Sequence, residues 1–329
     1  MAKRMAVLFA FAALVAMSCG VVPGTGGGGP KIGVVTDIGQ LEDKSFNEYS
    51  WKGAQDGAKA VGGTPQVIVT KDTADYAANI QNFIDQKYDV IVTVGFLIGS
   101  DTLKKAQANP NIQFFGVDQF VADPAPKNYQ GLIFVEAQAG YLAGIVAANV
   151  TKSNKIGAVG GRSDVPPVVN YIKGYQNAAQ KEKAGIQVLV NYTEDFNAPD
   201  KGQASAQTMI NQGADVIFQV AGLTGAGALR AACSAKVWGI GVDVDQYNSL
   251  PDAKSCIVTS AEKHLQSAVN DALKRWKDKG LQGGNFTNDA SNGGIGVSPI
   301  RNITPPAGLQ AKIDKAIADM KSGTLDPLK

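Results

Sequence analysis

Residues 36 to 60 read TDIGQLEDKSFNEYSWKGAQDGAKA, and fifteen consecutive positions of that stretch hold Asp37, Asp43, Lys44, Phe46, Asn47 and Trp51. Carboxylates accept hydrogen bonds, an amide donates and accepts, and an aromatic ring offers an apolar face. Crowded at the end of the apolar run Ile32 to Val35, these groups are the equipment of a ligand site. Nucleophilic or metal chemistry is harder to assemble. The chain has a single histidine, His264, so neither a Ser-His-Asp arrangement nor a multi-histidine metal site is easily built.

The elements that must position these groups follow in alternation. KIGVVTD reads as a strand and SFNEYSWKGAQDGAKAVG as a helix, with Ser45 as its cap. PQVIVT, DVIVTVG, IQFFGVDQ and YQGLIFVE are further strands, separated by helices near 75–87 and 100–109. An Ala/Gly-rich helix is expected over 136–150. KIGAVGG opens a second series, with strands IQVLVNYT, DVIFQVAG, VWGIGVDVD and CIVTSAE. Its helices fall near 168–184, 200–212, 225–235 and 264–279. A polar Gly/Asn stretch, 283–296, and a last helix near 306–321 close the chain.

Continuous Val/Ile runs indicate strands buried on both faces, and strands alternating with helices call for parallel sheets. Two such series are too many strands for one comfortable sheet, so the expected architecture is α/β, with two doubly wound lobes. Ligands bind such sheets outside the carboxyl ends of the strands. Asp37, Gly95, Asp118, Gly160, Gly222 and Asp243 all end apolar runs, which points to a cleft between the lobes.

The 329 residues suffice for two ordinary domains. Apolar residues make up 44%, charged residues 18%, and the formal net charge is +2. That balance gives no support for nucleic-acid binding. Residues 1–19, MAKRMAVLFAFAALVAMSC, carry Lys3 and Arg4 before an apolar run that is short for a bilayer span and fits a secretory signal. Ser18-Cys19 after this run resembles the bacterial lipoprotein box, in which the cysteine becomes the lipidated N-terminus. Each buried lipid methylene would add about 0.8 kcal/mol of anchoring. Residues 20–30, GVVPGTGGGGP, read as a flexible tether.

Export implies an oxidising compartment. Cys233 precedes one strand and Cys256 begins another, and neighbouring strands entered from one end could bring them within bridging distance. A disulfide and a pair of small buried residues are both compatible with the sequence.

TDIGQLEDKSFNEYSWKGAQ, GVDQ, GGRSDVPPVVNYIKGY, IGVDVDQ and TSAEK, in this order and spacing, resemble the basic membrane protein family, bacterial lipoproteins that serve as substrate-binding components of ABC importers and include a purine nucleoside receptor. The likeness spans most of residues 31–320. It implies the type I periplasmic-binding fold, two lobes joined by a hinge. Lobe 1 is expected over 31–133 plus about 261–285, and lobe 2 over about 134–260 plus 286–329. It further implies that Asp37, Phe46 and Asn47 touch the ligand, with Phe46 stacking one face of a purine and Phe196 the other. Asp118 would bond the base, while Gly222, Asp243 and Lys263 would surround the ribose. The chain departs from the family in carrying Glu194 and Asp195 before Phe196, where small residues are usual. The implied partners are a purine nucleoside, an ABC permease and the membrane through the lipid on Cys19. The implied protein is an extracytoplasmic monomer without cofactor or metal.

Plainer roles compete. Asp37 and Asp243 could cap helices, Trp51 reads as core, Phe96 as a wall of the site, and His264 as a surface residue. A free pentose or hexose is the alternative ligand. A nucleoside-cleaving enzyme using Asp37, Asp43 and Asp118 around Ca²⁺ is less favoured, because the spacing is not a compact aspartate cluster. A sugar-repressor core would lack its DNA-binding headpiece.

Overall fold

The Val/Ile runs become the interior strands of two sheets. The computed structural model describes residues 28–329. The expected signal segment, Cys19 and most of the tether lie outside them. The first series is β1 (Lys31–Val35), α1 (Phe46–Val61), β2 (Thr64–Ile68), α2 (Tyr76–Asp85), β3 (Val90–Val94), α3 (Gly99–Ala108), β4 (Gln113–Val117) and β5 (Tyr129–Phe134). The second is α4 (Glu136–Val150), β6 (Lys155–Gly160), α5 (Pro166–Glu182), β7 (Gln187–Tyr192), α6 (Pro199–Asn211), β8 (Val216–Val220), α7 (Gly222–Ser234), β9 (Trp238–Asp243), α8 (Gln246–Ser249) and β10 (Ile257–Lys263). The chain closes with α9 (Leu265–Lys279), β11 (Gly284–Asn288), β12 (Ile295–Val297) and α10 (Leu309–Lys321).

The sheet orders are β11-β5-β4-β3-β1-β2 and β12-β10-β9-β8-β6-β7, so one winding scheme is used twice. Every pairing is parallel except that of β12 with β10. β3, β4 and β8 are buried along their whole length, as strands covered on both faces must be. The chain passes between lobes three times: from β5 into α4, from β10 into α9, and between β11 and β12. Small residues let the flanking helices pack closely. A Cβ on Gly140 of α4 would lie 2.0 Å from the Tyr171 carbonyl of α5, and one on Gly53 of α1 would lie 2.6 Å from the Gln266 carbonyl of α9.

The polar stretch 283–296 is not structureless. GNFTN within it is β11, an edge strand of the first sheet, and Ile295–Val297 is β12 at the edge of the second. An edge strand needs apolar residues on one face only, so the Val/Ile signal that reveals interior strands is missing here. Cys233 and Cys256 form a disulfide, joining the end of α7 to the entry of β10. Among the described residues, no helix is long and apolar enough to cross a membrane.

Candidate functional site

The carboxyl ends of the two sheets face each other across a cavity with about 660 Å³ of atom-free space including its open mouth. All eight expected ligand residues line it. Asp37, Phe46 and Asn47 come from the β1–α1 segment, and Asp118 from the end of β4. Phe196 follows β7, Gly222 opens α7, and Asp243 and Lys263 end β9 and β10. Gly95, Phe96 and Tyr171 complete much of the wall.

The first jaw is built by Asp43. Its buried carboxylate accepts from the backbone N–H groups of Ser45 at 2.9 Å, Asn47 at 2.9 Å and Glu48 at 3.2 Å. These include amides at the start of α1 that have no intrahelical partner. The expected cap, Ser45, makes no side-chain cap bond. Its hydroxyl is turned across the cleft and donates to Asp243 Oδ2 at 2.7 Å. Asn47 Oδ1 accepts from the Asp37 N–H at 3.1 Å, which ties the helix start to the strand end. The Asp37 carboxylate accepts from the Ile38 N–H and the Tyr76 hydroxyl through Oδ1. A Cβ at Gly95 would lie 2.1 Å from Asp37 Oδ2, so only glycine fits beside that carboxylate. Burial raises the Asp43 pKa to about 7 and the Asp37 pKa to about 6, against the lowering effect of their hydrogen bonds.

The cavity's charged group is centred on Lys263, which is 2% exposed. Its Nζ lies 2.7 Å from Asp118 Oδ2 and 3.8 Å from Asp243 Oδ1, and 4.7 Å from the centroid of Phe46. Burial works against the ammonium, but Asp118, Asp243 and Glu136 outweigh it and hold its pKa above the ordinary lysine value. Burial pushes Asp118 up, and the adjacent ammonium offsets only part of this. Glu136, the first residue of α4, is raised to about 8 by burial and by Asp118. Asp118 (φ 59°) and Asp243 (φ 63°) both adopt the left-handed backbone that non-glycine residues rarely take. Asp118 Oδ1 is buried without a hydrogen-bond partner. An unpaired buried acceptor costs roughly 1–3 kcal/mol, so that oxygen is poised for a donor from a bound molecule.

The second aromatic is held from below. A Cβ at Gly161 would fall 2.2 Å from Phe196 Cε1, so the ring lies directly on the Gly161 backbone. The Phe196 carbonyl accepts from the Thr224 N–H of α7 at 3.2 Å. The two acidic residues before it turn elsewhere: Glu194 accepts from the Ser163 N–H, and Asp195 accepts from the Asn197 N–H and pairs with Lys201. Phe96 stands at the mouth, 41% exposed. Trp51 is partly buried and packs on the central core, and His264 is exposed beside Glu262. The sequence reading missed Tyr171, whose hydroxyl lies 3.5 Å from Asp243 Oδ1, and Glu136. Tyr171 stands within the VVNYIKGY run of α5, where nothing local separates a pocket tyrosine from a core one.

The family model described as ABC transporter substrate-binding protein PnrA-like, also named Bmp, matches residues 31–322. The chain belongs to this family. A relative from Lactococcus lactis, the ABC transporter nucleoside-binding protein BmpA, is 33% identical over 90% of this chain and 87% of its own. A basic membrane protein A2 from Borrelia garinii is 27% identical over 97% of this chain and 93% of its own. The solute-binding protein of an ABC transporter system from Aeropyrum pernix superposes with a TM-score of 0.80 at 24% identity, over 90% of this chain and 92% of that one. That likeness carries the fold. Together these establish an ABC transporter substrate-binding protein with the two-lobed periplasmic-binding architecture.

Proposed function

We propose that this PnrA-like protein is a lipid-anchored receptor that closes on a purine nucleoside and delivers it to an ABC permease. The observation that carries the reading is the pairing of Phe46 and Phe196, from opposite lobes, over one cavity whose end is lined by Asp118, Asp243 and Lys263. A purine has two π faces, and each stacked base is worth about 1–3 kcal/mol. Ribose hydroxyls are donors as well as acceptors and suit carboxylates beside an ammonium. The nucleoside-binding relative from Lactococcus lactis supports the same ligand class.

Asp118 is better matched to ribose than to the base, because it shares Lys263 with Asp243. That leaves Asp37, with its Oδ2 not engaged by Ile38 or Tyr76, and Asn47 to meet the base edge. Lys263 supplies a donor and keeps the neighbouring acids tolerable in a buried setting. Closure follows because ligand contacts from both lobes exist together only in the closed arrangement. The signal-like residues 1–19 and Cys19 support export and anchoring on the extracytoplasmic face. We read the protein as a monomer that needs no cofactor.

Calorimetry with inosine, guanosine and adenosine tests the ligand. Heat and a thermal shift with at least one purine nucleoside are expected, with ribose competing poorly. Silence with all three, or stronger binding of ribose, removes the nucleoside reading, and release of free base from inosine removes the receptor reading. Replacing Cys19 by Ala is expected to shift the protein from the membrane fraction to the soluble one.

A further inference from the structure

Two hydrogen bonds cross from the first jaw to the second lobe without touching the ligand cavity's aromatic clamp. Ser45 Oγ donates to Asp243 Oδ2 at 2.7 Å, and Ser249 Oγ of α8 donates to the Lys44 carbonyl at 2.9 Å. Ser45 is fully buried and Asp243 is 7% exposed. The two oxygens of Asp243 have divided duties. Oδ2 faces Ser45 of the other lobe, while Oδ1 lies 3.8 Å from Lys263 Nζ and 3.5 Å from the Tyr171 hydroxyl. Asp43 frees Ser45 for this contact by taking over the cap of α1.

We infer that Ser45 is a positioning residue for closure: its hydroxyl clasps Asp243 across the cleft, so one carboxylate reads both the ligand and the position of the opposite lobe, and the Lys44–Ser249 contact reinforces the clasp. The inference rests on the receptor reading. When the lobes part, water solvates Asp243. When they close, the carboxylate loses that water, and the Ser45 hydroxyl replaces it. Without the hydroxyl, closure strands a buried acceptor on a charged group, a penalty that falls on the closed state alone.

Hydrogen bonds to charged groups set the scale. Ser45→Ala is expected to speed nucleoside dissociation about 10- to 100-fold with association changed less than about threefold. Ser249→Ala, which removes a neutral hydrogen bond, is expected to speed it about 2- to 10-fold. Ser45→Thr, which keeps the hydroxyl, is expected to restore most of the difference.

The assay is stopped-flow release of inosine, or of whichever purine nucleoside the wild type binds, with small-angle scattering to follow lobe closure and thermal melting without ligand. A merely structural role would lower the ligand-free melting temperature and slow association alike. The clasp instead leaves ligand-free melting within about 2 °C of wild type and reduces the closed fraction at subsaturating ligand. A wild type that binds no nucleoside overturns the receptor reading. A wild type that binds, with Ser45→Ala and Ser249→Ala both releasing at the wild-type rate, overturns the clasp. If Ser45→Ala melts early, Ser249→Ala decides alone: faster release supports the clasp, and unchanged release overturns it.

Discussion

Replacing Lys263 by Met probes the charge balance of the cleft. Methionine keeps the apolar stem and removes the ammonium, leaving Asp118 and Asp243, 8% and 7% exposed, without their shared cation. With an effective dielectric near 20, the attraction is roughly 6 kcal/mol at the Asp118 distance and roughly 4 kcal/mol at the Asp243 distance. Desolvation of the three charged groups cancels much of this in the intact site. What remains on removing one partner is the cost of stranded buried charge, about 3–5 kcal/mol. Part of it is relieved by opening of the lobes, so urea stability and nucleoside affinity are both expected to fall. The second mutation, Asp118→Asn, removes one stranded charge and is expected to recover at least half of the lost stability in the Lys263→Met background. Equilibrium urea denaturation followed by tryptophan fluorescence, with matching transitions from a second probe, supplies the four stabilities of the cycle. A Lys263→Met loss below about 1 kcal/mol with unchanged affinity, or strict additivity with Asp118→Asn, would contradict a shared ammonium holding the two carboxylates.

Other outcomes follow from the same geometry. Phe46→Ala and Phe196→Ala should each weaken purine nucleoside binding by about 1–3 kcal/mol in calorimetry, and wild-type affinity in both variants would remove the clamp. Gly161→Ala pushes on a ring whose Cε1 lies 2.2 Å from the added Cβ position; circular dichroism should be preserved while affinity drops, and retained affinity would show that Phe196 is free to shift. The raised pKa values of Asp37 at about 6, Asp43 at about 7 and Glu136 at about 8 mean that the folded chain holds protons which the unfolded chain releases at lower pH. Their stabilising contribution is therefore full below the unfolded values near 4 and is lost as pH rises through 6 to 8. Melting temperature without ligand should fall across that window, and Glu136→Gln should flatten its upper end; a flat wild-type profile counts against the burial argument. Cys233 and Cys256 are 23 positions apart, so replacing both by Ser should cost about 3 kcal/mol in the chain-entropy model, and an unchanged urea midpoint contradicts it.

Much of this fold was legible because most of its interior strands are apolar runs, and β1, β3, β4, β6, β8 and β9 end at or just before a Gly or Asp. Asp37, Gly95, Asp118, Gly222 and Asp243 line one cavity, since a parallel sheet points all its carboxyl ends the same way, whereas Gly160 packs against Tyr192 and Ile172 instead. β11 escaped notice because an edge strand reading GNFTN carries no apolar run. Ser45 does hold the N-cap position of α1, but the side chain that caps is Asp43, for a related reason. Both Asp43 and Ser45 have capping side chains, and the choice between them depends on Asp243, which stands 198 positions from Ser45 in the sequence. Glu136 and Tyr171 were silent for the same kind of reason. Their environment comes from Asp118, Asp243 and Lys263, which lie on other elements.

The repeated strand order has a consequence for how such a site can change. β4 and β9 hold equivalent stations in their sheets, and each is followed or ended by an aspartate in the left-handed conformation, Asp118 and Asp243. The carboxylates thus obey an approximate twofold relation between lobes. The aromatics do not: Phe46 follows β1, whereas Phe196 follows β7, the counterpart of β2. Inheritance can therefore act on the halves of the site separately. The paired acids stand at equivalent points of the scaffold, whereas Phe46 opens α1 and Phe196 lies in the segment after β7, outside that relation. New ligands among relatives are expected to arise by change at those two aromatic positions, with the paired aspartates left standing.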